Sequence, residues 1–281
     1  MNRTKWRNLK NEWLSNKIGI AASVVLAILV LGAIGAFLSP NDPNALDVLG
    51  KLKPPSANHW FGTDEYGRDY FARALYGGRV SLLVGFSAMI VATIVGTVVG
   101  VVSGYFGGWL DNLLMRLLEI IMSIPSFLVM LLLSVLLKPG IVTLVIIIGL
   151  LMWMNMARII RAETLAAKER EYVLYAKASG QGAFGIILRH ILPGIVPVII
   201  VSATNNIASA ILMESSLSFL GFGIQPPNAT WGSMLTSAQG HIMDAPYLAL
   251  LPGALILLTV LCFNILGDIL RVGLEPKLVK R

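Results

Sequence analysis

The sequence predicts an all-α integral membrane protein with six transmembrane helices and both termini in the cytoplasm, and three observations carry that reading. Of its 281 residues, 56% are hydrophobic and only 13% charged, far more apolar surface than a soluble core of this length needs. A helix needs about 20 apolar residues to cross a bilayer, and charge-free windows of that order run over 18–41, 80–110, 120–137, 139–157, 191–213 and 245–267. The cations fall mainly on alternate connections. Arg3, Lys5, Arg7, Lys10 and Lys17 precede the first window, Arg116 follows the second, a group from Arg158 to Arg189 follows the fourth, and Arg271, Lys277, Lys280 and Arg281 close the chain. Cytoplasmic flanks retain positive charge, so these connections are placed inside.

The net charge of +7 is accounted for by this asymmetry and by anionic lipid at the inner leaflet, so membrane lipid is an expected partner and nucleic acid is not. The first apolar run is long enough to span and has no small-residue cleavage site, so it reads as a retained helix. The lone Cys262 excludes an internal disulfide and Cys-based metal ligation. Residues 1–60 form a cytoplasmic leader, first helix and external loop; residues 61–281 form the membrane core, with a large polar loop at 161–193.

Taken in order, the leader's Trp6 and Trp13 suit a membrane interface. Pro40, Pro43, Pro54 and Pro55 make the segment after the first helix an irregular external loop. In Phe61-Gly-Thr-Asp-Glu-Tyr-Gly-Arg-Asp69, alternating charges at the boundary predict ion pairs and capping of the next helix by Asp69 or Thr63. Gly96, Gly100 and Gly104 leave one face of the second span without side chains, which predicts a close inter-helix or inter-subunit seam. Pro125 in Ser-Ile-Pro-Ser is expected to break or kink the third span, and Arg116 and Glu119 are placed to pair at its inner end. The polar loop predicts one amphipathic helix over 162–179 with Tyr172, Tyr175, Ala176 and Ser179 on one face, stopped by Gly180. A second short helix runs into Pro193. Beyond the fifth span, residues 214–235 are apolar but broken by Gly and paired Pro, and Glu214 stands there as an unpaired acid at the outer end of a span, a candidate pathway or gate residue.

Three stretches resemble a known family. Gly180, nine residues, then His190-Ile191-Leu192-Pro193 is similar to the E-A-A-x3-G-x9-I-x-L-P loop of ABC-importer permeases, with Leu174, Tyr175 and Ala176 at the E-A-A positions and His190 at the first I. Only Ala176 matches that triplet. Residues 61–85 and 214–235 more closely resemble the FGTDxxGRD…YGxRxSLxVG and ESxLSFLGxGxQPPxPxWGxML patterns of C-type permeases from dipeptide, oligopeptide and nickel importers, the second departing at Asn228-Ala229-Thr230. The resemblance implies a type I ABC importer permease whose loop docks on an ATPase through Glu171, Tyr172, Leu174, Tyr175, Ala176, Gly180 and Pro193. With Leu174 at the glutamate position, apolar contact is expected to outweigh an ion pair and Glu171 to support it.

Other classes are set aside on the residues. No Lys is followed by Ser or Thr, so there is no Walker A loop. His59, His190 and His241 lie outside the apolar windows and near no ligand cluster, which argues against an intramembrane protease. A secondary transporter or channel remains the alternative of a different class, but charges here gather at span ends rather than mid-membrane. The expectation is therefore a non-catalytic, multi-pass subunit of the bacterial cytoplasmic membrane, forming half of a path for di- or oligopeptides. Nickel or a metal chelate is the alternative cargo. By the same resemblance the chain binds no cofactor or metal, ATP is used by partner subunits, and the partners are a B-type permease, two cytoplasmic ATPases and an extracytoplasmic substrate-binding protein.

Overall fold

The computed structural model describes residues 12–138 and 140–274. The leader before residue 12 with Trp6, the turn residue Pro139, and the basic tail after residue 274 lie outside the described residues. Helix α1, Lys17–Ile34, starts where the Asn16 side chain accepts from the Gly19 N–H at 3.0 Å, filling one of the donors a helix start leaves open. The Trp13 indole donates to the Ser23 hydroxyl at 2.9 Å and holds the entry.

The loop that follows is irregular, as its prolines predict, and Asp64 organises it. One carboxylate oxygen accepts from the Tyr66 and Arg68 N–H groups at 2.9 and 3.0 Å, and the other meets the Arg68 Nε at 2.6 Å and the Arg73 Nε at 3.4 Å. Gly67 has φ +76°, and a Cβ there would run into the Asp47 backbone carbonyl, so both conformation and space require glycine. Of the two capping candidates Asp69 does the work, accepting from the Ala72 N–H at 2.8 Å. Thr63 instead accepts from Lys53 N–H at 2.8 Å and donates to the Gly50 carbonyl.

Helix α2, Tyr70–Phe106, therefore begins ten residues before its charge-free window. Arg73 is buried within it, tolerated because it pairs with Asp64 and donates to the Pro43 carbonyl at 3.3 Å. Helices α3, Gly108–Met122, and α4, Ser126–Leu136, follow. They are bent 79° apart at Ser123–Pro125, so the proline breaks the third span outright: it supplies no N–H to continue α3 and disfavours helical backbone before it. Helix α5, Ile141–Lys168, returns to the first side. Short helices α6, Glu171–Ala178, and α7, Ala183–Ile186, and a π-helical stretch at Ile187–Ile191 lead into α8, Leu192–Phe219. Helices α9, Trp231–Ala238, and α10, Tyr247–Leu274, complete the described chain.

Five of these runs are long and apolar enough to cross a membrane, and the bent α3–α4 pair makes the sixth. Successive crossings alternate, so the start of α1, the α2–α3 turn, α6, α7 and the end of α10 share one end of the bundle, termed the loop end; residues 39–69 and 220–246 share the other. Helix α2 lies at the centre, against α5 along its length and against α8 and α1 on other faces. The seam with α5 is the glycine face. A Cβ on Gly96 would stand 2.6 Å from Met156 Cβ, on Gly100 2.6 Å from the Ala157 carbonyl oxygen, and on Gly104 2.8 Å from Thr164 Cβ. Gly149 of α5 meets Val91 in the same way. The seam thus lies between two helices of one chain, where lack of side chains lets backbones approach and dispersion accumulate.

Candidate coupling surface and transport cavity

The polar loop is not the single helix over 162–179 that its periodicity predicts. Helix α5 runs on to Lys168, the chain breaks at Glu169 and Arg170, and α6 begins anew at Glu171. Nor is the side of Tyr172, Tyr175 and Ala176 the buried one, and Ser179 is the cap of α6 rather than part of it. Val173 and Ala176 are buried, packed with Ile160, Ile186, Ile191 and Ile195, while Tyr172, Leu174 and Tyr175 point out, Tyr175 being 79% exposed. The buried side is centred between Val173 and Ala176, so the two tyrosines that the spacing put on the apolar face stand outside it.

Gly180 ends α6 as expected, with φ +79°. The Gln181 N–H reaches back to the Ala176 carbonyl and the Gly180 N–H to Lys177, each at 3.1 Å, the paired bonds of a Schellman cap. Gln181 Oε1 then meets His190 Nε2 at 2.9 Å, tying the turn to the π-helical stretch. Pro193, exposed in the first turn of α8, lacks the N–H that Arg189 would use and crowds its carbonyl, and the widened turn precedes it. Phe184, 75% exposed between Gly182 and Gly185, adds an aromatic to the surface of Tyr172, Leu174 and Tyr175; a lone aromatic in a glycine-rich turn was the available signal. Glu171 is also exposed, in the first turn of α6.

Behind this surface stands an ion pair the sequence reading passed over. Asp111, at the start of α3, receives the Arg161 Nε and Nη2 of α5, both at 2.6 Å, and the Ser103 hydroxyl of α2. Lys168 Nζ donates to the Gly104 carbonyl at 3.2 Å. Three helices are thereby tied where α5 hands the chain to α6. The expected Arg116–Glu119 pair also forms, at 3.2 Å, but its side chains are 77% and 63% exposed.

At the opposite end Glu214 is corrected from an unpaired acid to a fully buried, hydrogen-bonded one. The Ser218 hydroxyl donates to Oε1 at 2.7 Å and the Ser81 hydroxyl to Oε2 at 2.9 Å. Ser81 also accepts from the Trp231 N–H at 3.3 Å, and the Trp231 indole donates to the Ala74 carbonyl at 2.9 Å. Helices α2, α8 and α9 meet around this carboxylate. Replacing Glu214 with Leu strands the buried hydroxyls and is expected to destabilise the junction by about 2–3 kcal/mol, whereas Gln keeps an acceptor for Ser218 and costs less. The check is thermal stability of the purified protein, in the order wild type, Gln, Leu; equal midpoints for Gln and Leu would remove the hydrogen-bonded junction from the account.

Two cavities open beside the broken span. One of about 200 Å³ lies at the bend, walled by residues of α3, α4, α5 and α8 that include Ser126, Asn155, Asn206 and Ser209. The other, about 1090 Å³ on the loop-end side, is lined by Arg116, Glu119, Arg158 and Arg161 among others. Asn155 borders both. The smaller is lined by no charged residue, the larger by Arg116, Glu119, Arg158 and Arg161.

A bundle of apolar helices with a broken span, a cavity beside it and a polar loop at one end is the architecture of a membrane subunit of a transport system. Residues 96–280 match the family described as "Binding-protein-dependent transport system inner membrane component", and the chain belongs to that family. It is a permease, not an enzyme, and a multi-pass protein of the bacterial inner membrane with a type I ABC permease architecture. The "Dipeptide transport system permease protein DppC" of Bacillus subtilis (strain 168) is 42% identical, over 97% of this chain and 85% of that one. The "Oligopeptide transport system permease protein OppC" of Escherichia coli (strain K12) is 37% identical over 98% and 92%, and the protein of that name from Bacillus subtilis (strain 168) 36% identical over 98% and 90%.

Proposed function

We propose that this chain forms half of the path of an ATP-driven importer of di- or oligopeptides, with its loop end in the cytoplasm. What favours peptide over nickel is the naming of the similar permeases, dipeptide and oligopeptide systems alike. The cation bias of the loop-end connections supports the orientation. The partners on this reading are a second, B-type permease beside the cavities, two cytoplasmic ATPases at the α6–α7 surface, and an extracytoplasmic binding protein at the other end. ATP serves the ATPases, and this chain binds no cofactor or metal.

The observation that carries the coupling role is the division of α6: Val173 and Ala176 anchor it in the bundle while Tyr172, Leu174, Tyr175 and Phe184 stand exposed. An anchored helix with an apolar outer face transmits displacement, and Glu171 adds a charge at its rim. Glu214 acts on this reading as the fastening of the outer segment 220–238 rather than as pathway lining. Gly180→Val forces a β-branched residue into the left-handed region at a cost of about 1–2 kcal/mol, with no steric neighbour to add to it. Gly180→Val and Tyr175→Ala should each uncouple ATP hydrolysis from peptide uptake or release the ATPase on purification. Stoichiometric ATPase and normal uptake in both variants would show that this is not the coupling surface.

A further inference from the structure

Arg79 is a cation without an anion. It stands exposed on α2, one residue before the charge-free window that opens at Val80, and so where hydrocarbon gives way to headgroups at the end opposite the loop end. Among the described residues it forms no ion pair or side-chain hydrogen bond, unlike Arg68, Arg73, Arg116 and Arg161. The Lys138 ammonium, exposed three residues before Ile141, is unpaired in the same way. Arg79 borders a cavity of about 360 Å³ whose other polar walls are Tyr76 of α2, Asn44 of the loop after α1 and Asn228 of the segment between α8 and α9. Those three side chains also make no hydrogen bond among the described residues. No Asp or Glu lines the cavity, and the neighbouring Asp42 accepts from the Asn44 N–H at 2.8 Å. From Arg79, the residues Leu83, Phe86, Ile90 and Ile94 continue along α2 at steps of four, three, four and four, a single exposed apolar stripe.

A phospholipid answers each of these features. Its phosphodiester supplies the anion that Arg79 lacks, at the depth where lipid phosphates lie, and a guanidinium pairs with phosphate through parallel hydrogen bonds. Its acyl chain covers the stripe below. A soluble anion would leave that stripe bare, and a soluble protein could not follow it into the hydrocarbon. The headgroup is selected by the same chemistry: an ethanolamine ammonium meets two free cations and no carboxylate, whereas glycerol hydroxyls donate and accept, as the phenol of Tyr76 and the two amides require. We propose that this cavity binds a phosphatidylglycerol molecule of the leaflet opposite the loop end, with its phosphate on Arg79, its glycerol among Tyr76, Asn44 and Asn228, and an acyl chain along Leu83 to Ile94. A lipid so held joins the loop after α1, the outer turns of α2 and the segment that leads to α9. The assignment is independent of the cargo.

The test uses the complete transport complex in vesicles of phosphatidylglycerol and phosphatidylethanolamine in equal amounts, with Leu83 replaced by the photoreactive residue benzoylphenylalanine. After illumination, mass spectrometry of the cross-linked chain reads the ratio of the two lipid adducts. With Arg79 present, phosphatidylglycerol adducts should exceed phosphatidylethanolamine adducts about fivefold, the scale set by one cation against an anionic headgroup. Arg79→Gln should bring the ratio to about one, and Arg79→Lys, which keeps the charge, should retain most of the preference. The ratio is internal to each preparation, so a variant that folds less well still reports. Excess glycerol phosphate, the headgroup chemistry without acyl chains, should leave the ratio unchanged. Equal adducts with Arg79 present, or an unchanged ratio in Arg79→Gln, overturn the assignment. So does a ratio levelled by glycerol phosphate, which would mark a site for a soluble anion, and so do adducts to another subunit in place of lipid, which would put protein on the stripe.

Discussion

Gly100→Leu is expected to leave almost no intact protein in the membrane. The substituted Cβ would stand 2.6 Å from the Ala157 carbonyl oxygen, 2.8 Å from Ile160 Cβ and 3.0 Å from the Arg161 nitrogen. Two of these three atoms are backbone in the middle of α5, so no rotamer change relieves them, and α2 and α5 must part along the seam. Even Ala in this place is an overpacking substitution of about 1–3 kcal/mol; Leu adds three carbons where Gly96 and Gly104 hold the flanking turns equally close. The measurement is the amount of folded protein recovered from membranes for Gly100, Ala and Leu at equal synthesis. Recovery of the Leu variant at the wild-type level would mean that the helices do not touch there.

The second large effect is expected from Arg161→Ala. Removing one partner of a buried ion pair costs about 3–5 kcal/mol because the other charge is stranded. Here the Asp111 side chain is 11% and the Arg161 side chain 32% exposed, so water reaches the pair in part and about 2–3 kcal/mol is the fitting range. Arg116→Ala breaks a pair exposed on both sides and should cost at most about 1 kcal/mol. Thermal unfolding of the purified variants compares the two directly. In a double-mutant cycle, Asp111→Ala with Arg161→Ala should destabilise less than the sum of the single changes. If Arg161→Ala proves no more harmful than Arg116→Ala, the three-helix clasp does not hold the loop end together.

The crossings were legible because their signal is local: runs of apolar residues bounded by charge. Pro125 and Gly180 were legible for the same reason, each acting through its own backbone chemistry on the residues beside it. Arg73 moved the start of α2 well before the apolar window, since the carboxylate that lets it enter the helix comes from a loop whose folding no window average includes. Glu214 looked unpaired because hydroxyls carry no charge to flag them: Ser218 stands one turn further on, and Ser81 is distant in sequence. Asp111 and Arg161 lie fifty positions apart and Asn155 and Asn206 on different helices; each pair exists only once α5 has packed against its neighbours. The inner side of α6 was missed because Tyr172, Tyr175 and Ala176 also carry the spacing of an apolar face, and only the packing of Val173 and Ala176 against the bundle decides which side turns in.

From Ala183 to Phe219 the chain forms one helical run of 37 residues, about 55 Å long at 1.5 Å per residue. Phe184 sits at one tip and the Glu214 cluster near the other. The π-helical stretch, Pro193 and Pro197 weaken the backbone ladder in the first half of the run, so a pivot there leaves the stretch from Pro197 to Phe219 to move as a rod. A rotation of about 5° there sweeps the far tip through about 3 Å at 1.5 Å of rise per residue. On the proposed coupling role, a displacement at the exposed aromatics is lengthened at the opposite surface, where the serine-bound carboxylate joins α8 to the segment that follows.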